Sequence, residues 1–99
     1  MPYTYPFKGT DEPTKLEVWK KGRPIKDFDE KIWRHDACGK VMKYSEHGNV
    51  DSEHGWEIDH IMPQAKGGKT TWENLQPLNW KVNREKSDTY PWTCSMLSF

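Results

Sequence analysis

The sequence predicts an α+β fold: an antiparallel hairpin followed by a helix, preceded by an extension that holds a second short hairpin. Three observations carry this. Trp56-Glu57-Ile58-Asp59-His60-Ile61 alternates apolar and polar residues, the period of a half-buried strand. Leu75-Gln76-Pro77-Leu78 is a second short extended run, and Pro77 lacks an N–H, so it fits an edge or a brief pairing. Asn79 to Asp88 runs without Gly or Pro behind Asn79, a natural N-cap, and reads as a helix.

The segments between follow from their turn residues. Pro63 stops the first strand, and Gly67-Gly68 permits positive φ and a sharp reversal. Trp72 to Asn74 belongs to a loop. Upstream, Pro2, Pro6, Gly9 and Pro13 make residues 1–15 an irregular arm. Leu16 to Trp19 forms a short strand or a turn of helix, broken by Lys20-Lys21-Gly22-Arg23-Pro24. Asp29 caps a helical turn that includes Ile32 and Trp33. Trp33-Arg34-His35-Asp36 and Val41-Met42-Lys43-Tyr44 flank Ala37-Cys38-Gly39-Lys40 as a hairpin. Residues 16–90 are expected to form one domain with its functional core at about 55–88, and 91–99 a C-terminal tail.

Bulk properties narrow the class. A chain of 99 residues suggests one domain with a modest core. Six Trp, four Tyr and three Phe argue against disorder, because aromatics supply much of the burial in a small core. Formal net charge is zero, which counts against a general nucleic-acid coat protein. The charge is uneven, however. From His60 to Lys86 the basic residues are Lys66, Lys69, Lys81, Arg84 and Lys86, against the acids Glu73 and Glu85. Cys38 and Cys94 are too few for a disulfide framework and are expected as reduced thiols, one in a hairpin turn and one in the tail. His47 and His54 are expected as surface turn residues. No stretch is apolar enough to span a membrane. The opening residues lack the basic and apolar regions of a signal peptide, so a cytoplasmic location is expected.

The second half of the chain carries groups suited to phosphodiester hydrolysis. That reaction needs a water to lose a proton and the growing charge on phosphate and leaving oxygen to be stabilised. The His60 imidazole suits the first task. A divalent cation suits the second, with a carboxylate oxygen from Asp59 and an amide oxygen from Asn83. Two hard oxygen ligands, completed by water and phosphate, describe one Mg²⁺ (with Mn²⁺ as the alternative) better than zinc. Adjacent strand residues point to opposite faces, so Asp59 and His60 diverge unless the strand ends there, which Pro63 favours. Asn74 is expected to hold the loop and help orient His60. Lys66, Lys69, Lys81, Arg84 and Lys86 are expected to line a phosphate path, which positions DNA without reading its sequence. Trp56, Trp72 and Trp80 are expected in the core.

Gly55 to Asp88, GWEIDHIMPQAKGGKTTWENLQPLNWKVNREKSD, resembles the HNH endonuclease motif in its ββα-metal form. The resemblance rests on Asp59-His60, Ile61-x-Pro63, Gly67-Gly68, Asn74-Leu75-Gln76, Leu78, Asn83 and Lys86-Ser87-Asp88. Asn74 follows His60 by 14 residues and Asn83 follows Asn74 by nine, the spacing of the HNH domain in RNA-guided DNA nucleases. Val18-Trp19-x-Lys21, Trp33-Arg34-x-Asp36, Gly39 and Tyr44-Ser45-Glu46-x-Gly48-Asn49 resemble small stand-alone bacterial and phage-type HNH proteins. The resemblance implies Asp59 and Asn83 as metal ligands, His60 as general base and Asn74 as the Asn that orients it. It implies a metal-dependent endonuclease acting on DNA, with double-stranded DNA the expected substrate. No element obviously reads bases, so low sequence specificity is expected, and the oligomeric state, monomer or homodimer, stays open. The sequence departs from the pattern by placing Asn83 where many relatives have His, which favours Mg²⁺ or Mn²⁺ over Zn²⁺ or Ni²⁺. It also lacks the two CxxC pairs of many relatives, so a structural zinc is not expected; His35-x-x-Cys38 and Cys94 alone cannot close a tetrahedral site. The competing readings are a non-catalytic nucleic-acid-binding module of degenerate HNH fold and a zinc-stabilised domain bound through Cys38.

Overall fold

The computed structural model describes residues 12–94. In chain order the elements are α1 (Glu12–Trp19), β1 (Arg23–Pro24), β2 (Trp33–His35), β3 (Val41–Lys43), β4 (Trp56–His60), β5 (Leu75–Asn79) and α2 (Trp80–Lys86), with 3₁₀ turns at Tyr44–Glu46, Gln64–Lys66 and Trp72–Asn74. β1, β2 and β3 form one antiparallel sheet, and β4 and β5 a second.

The β4–β5 register sorts side chains onto two faces. Ile58 opposite Pro77 and His60 opposite Leu75 share one face; Glu57 opposite Leu78 and Asp59 opposite Gln76 share the other. α1 covers the first face, where Val18 and Leu75 are fully buried with Ile58 and Trp72 against them. α2 covers the second, where Val82 packs with Leu78. Each of these buried aliphatic side chains stabilises the fold by about 2 kcal/mol. A third cluster of Trp19, Met42 and Trp56, with Tyr44 beside it, joins α1 to both sheets. The two indoles of this cluster are satisfied: Trp19 Nε1 donates to Glu30 O at 3.0 Å and Trp56 Nε1 to Tyr44 O at 3.1 Å, whereas the buried Nε1 of Trp72 has no partner among the described residues.

Asp36 and Asn79 tie the sheets together. Asp36 Oδ1 accepts from the N–H groups of Cys38 (2.9 Å) and Lys40 (2.8 Å), shaping the β2–β3 turn, while Oδ2 accepts from Asn79 N at 2.9 Å. Asn79 is the expected N-cap, its Oδ1 accepting from Lys81 N at 2.9 Å. Its Nδ2 also donates to Val41 O and Glu53 O. Asp29 Oδ1 accepts from Lys31 N at 2.9 Å and its backbone carbonyl from Ile32 N and Trp33 N, but the turn it holds is not the expected helical one, and Trp33 begins β2.

Three expectations are corrected. Helix α1 begins at Glu12, so residues 12–15 do not belong to an irregular arm; residues 1–11 lie outside the described residues. Cys38 and Cys94 are not free thiols but a disulfide, with Cα atoms 5.5 Å apart. The chain after α2 returns across the molecule, and Trp92 and Cys94 pack on Leu78, Val82 and Cys38. That return also moves residues 91–94 from the expected tail into the packed domain. Among the described residues no helix is long and apolar enough to cross a membrane.

Candidate active site

Asp59, His60 and Asn83 line one cavity of about 510 Å³, drawn from β4, the turn after Pro63 and the later half of α2. Sequence neighbours on a strand diverge, yet Asp59 and His60 both reach this space because β4 ends at His60. Asn83 lies one turn into α2, over the strand face that carries Glu57 and Asp59.

Asp59 is 8% exposed. Its Oδ2 accepts from Gln76 Nε2 at 3.0 Å, and the Lys86 ammonium stands 3.3 Å from Oδ2 and 3.4 Å from Oδ1. Burial raises the Asp59 pKa, and the Gln76 hydrogen bond and the Lys86 charge oppose that rise without cancelling it. Lys86 also donates to His60 O at 3.0 Å, so one ammonium holds both the carboxylate and the backbone of the Asp-His pair.

His60 is half-buried, and its Nε2 lies 2.7 Å from Thr70 Oγ1, a hydroxyl oxygen that accepts from Gln64 Nε2 at 3.3 Å. Thr70 comes from the far side of the loop that Asn74 closes. Asn74 Oδ1 accepts from Met62 N at 2.9 Å, while Nδ2 donates to Met62 O at 3.0 Å and Lys69 O at 2.9 Å. Its own carbonyl accepts from Ile61 N at 2.8 Å. Asn74 is thus a clamp on residues 61–69, the expected loop-holding role, and Thr70 is the side chain that touches His60. Gly67 has φ +94°, as expected, and Gly68 leaves no room for a Cβ against the Met62 carbonyl. The half-buried Lys21 reinforces the loop from α1's side, donating to Trp72 O and to Leu75 O (2.7 Å); burial lowers its pKa.

Asn83 Nδ2 donates to Glu57 Oε1 at 2.8 Å. Arg84 grips the same carboxylate twice, at 2.7 and 3.0 Å. Burial pushes the Glu57 pKa up, but the hydrogen bonds from Arg84 and Asn83 outweigh it, and the carboxyl sits below its usual value.

The basic residues divide. Lys66 and Lys69 are exposed on the loop beside His60. Arg84 lines the cavity and is 55% exposed while bound to Glu57. Lys81 lines a different hollow, with Glu53 and His54. Lys86 departs from the expected phosphate path: it is 2% exposed and its ammonium is engaged inside the chain.

Sequence reasoning missed Glu57, Thr70 and the inward role of Lys86. The alternation that singled out Asp59 also places Glu57 on the same face, a usable signal; nothing distinguishes Thr70 from Thr71 before the loop is closed.

The donor set suits a hard cation in one respect: Asp59 and Asn83 offer oxygen on a shared cavity, and no described residue donates to Asn83 Oδ1. Among the described residues no three His, Cys, Asp or Glu side chains gather to form a cage, so the rest of the shell would fall to water and phosphate, as Mg²⁺ tolerates. In the Cys38–Cys94 disulfide neither sulfur is a thiolate, the form in which cysteine binds zinc.

Neither curated proteins nor solved structures returned a match to this chain. A family model for HNH endonucleases matches residues 37–89, from the β2–β3 turn through the end of α2. With more than half its length matched and the ββα arrangement in place, the chain belongs to the HNH endonuclease family.

Proposed function

We propose that this chain is a metal-dependent endonuclease that hydrolyses phosphodiester bonds of double-stranded DNA, with His60 as general base and Asp59 and Asn83 as cation ligands. The observation that carries it is the convergence of Asp59, His60 and Asn83 on one cavity. A bound Mg²⁺ or Mn²⁺ would neutralise charge developing on the phosphate and the leaving oxygen. The chain's own residues divide the remaining work. In the tautomer that donates Nε2–H to Thr70, the lone pair of His60 lies on Nδ1, the atom that then takes a proton from water. Lys86 holds Asp59 and the His60 backbone, and Asn74 keeps the following loop closed, so the base is aligned before substrate arrives.

Lys66 and Lys69 contact backbone phosphates beside the site, and Arg84 reaches a flanking phosphate when it leaves Glu57. Such contacts carry no sequence information, so specificity is low. One site cuts one strand, so a monomer nicks. The Cys38–Cys94 bridge lends no support to the expected cytoplasmic location, where thiols are normally reduced.

One observation favours the non-catalytic reading: both Asp59 oxygens already take contacts from Lys86 or Gln76. A carboxylate has about four lone-pair sites, which leaves room for a cation. Supercoiled plasmid incubated with the pure protein decides between the readings. The expected result is nicking in Mg²⁺ or Mn²⁺ that EDTA abolishes; DNA binding without nicking in any divalent metal would establish the binding module instead.

A further inference from the structure

We propose that Glu57 is a positioning residue that fixes which end of the Asn83 amide faces the cation. The proposal rests on the reading of Asn83 as a ligand. An ionised carboxylate only accepts hydrogen bonds. Glu57 Oε1 receives Asn83 Nδ2 at 2.8 Å, so the NH₂ end of the amide is turned toward Glu57. The oxygen, the one atom of that side chain able to bind a cation, is therefore turned away from Glu57, and no described residue occupies it. The two ends of an amide have nearly the same shape. Without Glu57 the amide can flip and present N–H to the cation, which repels it.

The placement comes from the strand. Glu57 precedes Asp59 by two residues, so both stand on the face of β4 that α2 covers. One strand thus supplies the first ligand and the group that orients the second. Arg84 holds Glu57 in a bidentate grip at 2.7 and 3.0 Å, which keeps the carboxylate in plane for Asn83. Glu57 is not counted as a ligand itself, since it does not line the cavity that Asp59, His60 and Asn83 share.

The test is Mn²⁺ binding to the protein, measured by calorimetry, in wild type, Glu57→Val, Asn83→Ala, Asn83→Asp and the Glu57→Val/Asn83→Asp double variant. The carboxylate introduced by Asn83→Asp offers an oxygen at either end, so it needs no orienting partner. Glu57→Val is expected to weaken Mn²⁺ binding about tenfold beside the native Asn83, and to change it less than about twofold in the Asn83→Asp background. Equal loss in both backgrounds is what simple removal of a negative charge would give, and it overturns the proposal. So does no loss beside Asn83 while Asn83→Ala binds weakly. Asn83→Ala binding as tightly as wild type would instead overturn the ligand reading, and the proposal with it. Thermal unfolding checks that each variant folds; Glu57→Met replaces Glu57→Val if the branched side chain prevents folding.

Discussion

The Lys86 ammonium lies 3.3 Å from Asp59 Oδ2, and the two side chains are only 2% and 9% exposed. A cation at the end of α2 is thus the internal counter-charge of the residue expected to bind metal. Removing it leaves a buried carboxylate without its partner. Lys86→Met is expected to lower stability by about 3 kcal/mol, read from chemical denaturation. A loss below about 1 kcal/mol would show that water reaches Asp59 and that the pair is only a surface contact.

The same burial separates Lys86 from the exposed lysines in DNA binding. A Lys66→Ala/Lys69→Ala variant is expected to lower the salt dependence of duplex affinity by about two phosphate contacts, near 0.9 per contact in the log–log slope. Lys86→Met, where it folds, is expected to leave that slope unchanged. Affinity measured across a salt series checks both, and a reduced slope for Lys86→Met would place its ammonium on the DNA.

Thr70 touches the proposed base directly, with Oγ1 2.7 Å from His60 Nε2. Thr70→Val keeps the shape and removes the hydrogen bond. Nicking is expected to slow about tenfold, with the pH–rate profile displaced and the thermal midpoint nearly unchanged. Loss of rate only in proportion to loss of folded protein would reduce Thr70 to a structural part.

The loop clamp is tested from both of its sides. Gly68→Ala drives a Cβ into the Met62 carbonyl, and Asn74→Ala deletes the three hydrogen bonds that close residues 62–69. Each is expected to destabilise the loop by about 2 kcal/mol. Amide exchange at residues 61–69 is expected to accelerate while β2 and β3 stay protected. Uniform acceleration through the whole chain would mean that the loop does not open separately.

Asp36 gives a pH dependence of defined sign. Burial raises its pKa above 3.8, against the hydrogen bonds from Asn79, Lys40 and Cys38. A raised carboxyl binds its proton more tightly in the folded state, so its contribution is largest below 3.8 and declines as pH rises through the folded value. The stability of wild type relative to Asp36→Asn is therefore expected to fall as pH rises from that point. A difference that grows with pH would mean that the three N–H donors outweigh burial.

Periodicity carried much of this molecule. The alternation of Trp56–Ile61 gave β4 and both of its faces, and the hydrogen-bonding chemistry of Asn79 gave the start of α2. The turn at Ala37–Lys40 was readable because a Gly lies between two strand-like runs. What stayed hidden was long-range. Cys38 and Cys94 stand 56 residues apart, and nothing local announces that the chain after α2 returns to the β2–β3 turn. Lys86 is expected on the phosphate path because a lysine is normally solvated; only the register that sets α2 over Asp59 shows it turned inward. Thr70 acquires meaning only once Asn74 has closed the loop around Met62.

The division of labour in the site is tested most directly by measuring Mn²⁺ binding and plasmid nicking on the same three proteins: wild type, His60→Ala and Asn83→Ala. His60→Ala is expected to bind Mn²⁺ as wild type does and to lose nicking by at least about 100-fold, since it removes the base and leaves the ligands. Asn83→Ala is expected to lose both. Nicking that survives in His60→Ala, or Mn²⁺ binding that disappears with it, would contradict the assignment of His60 as a base that stands off the metal.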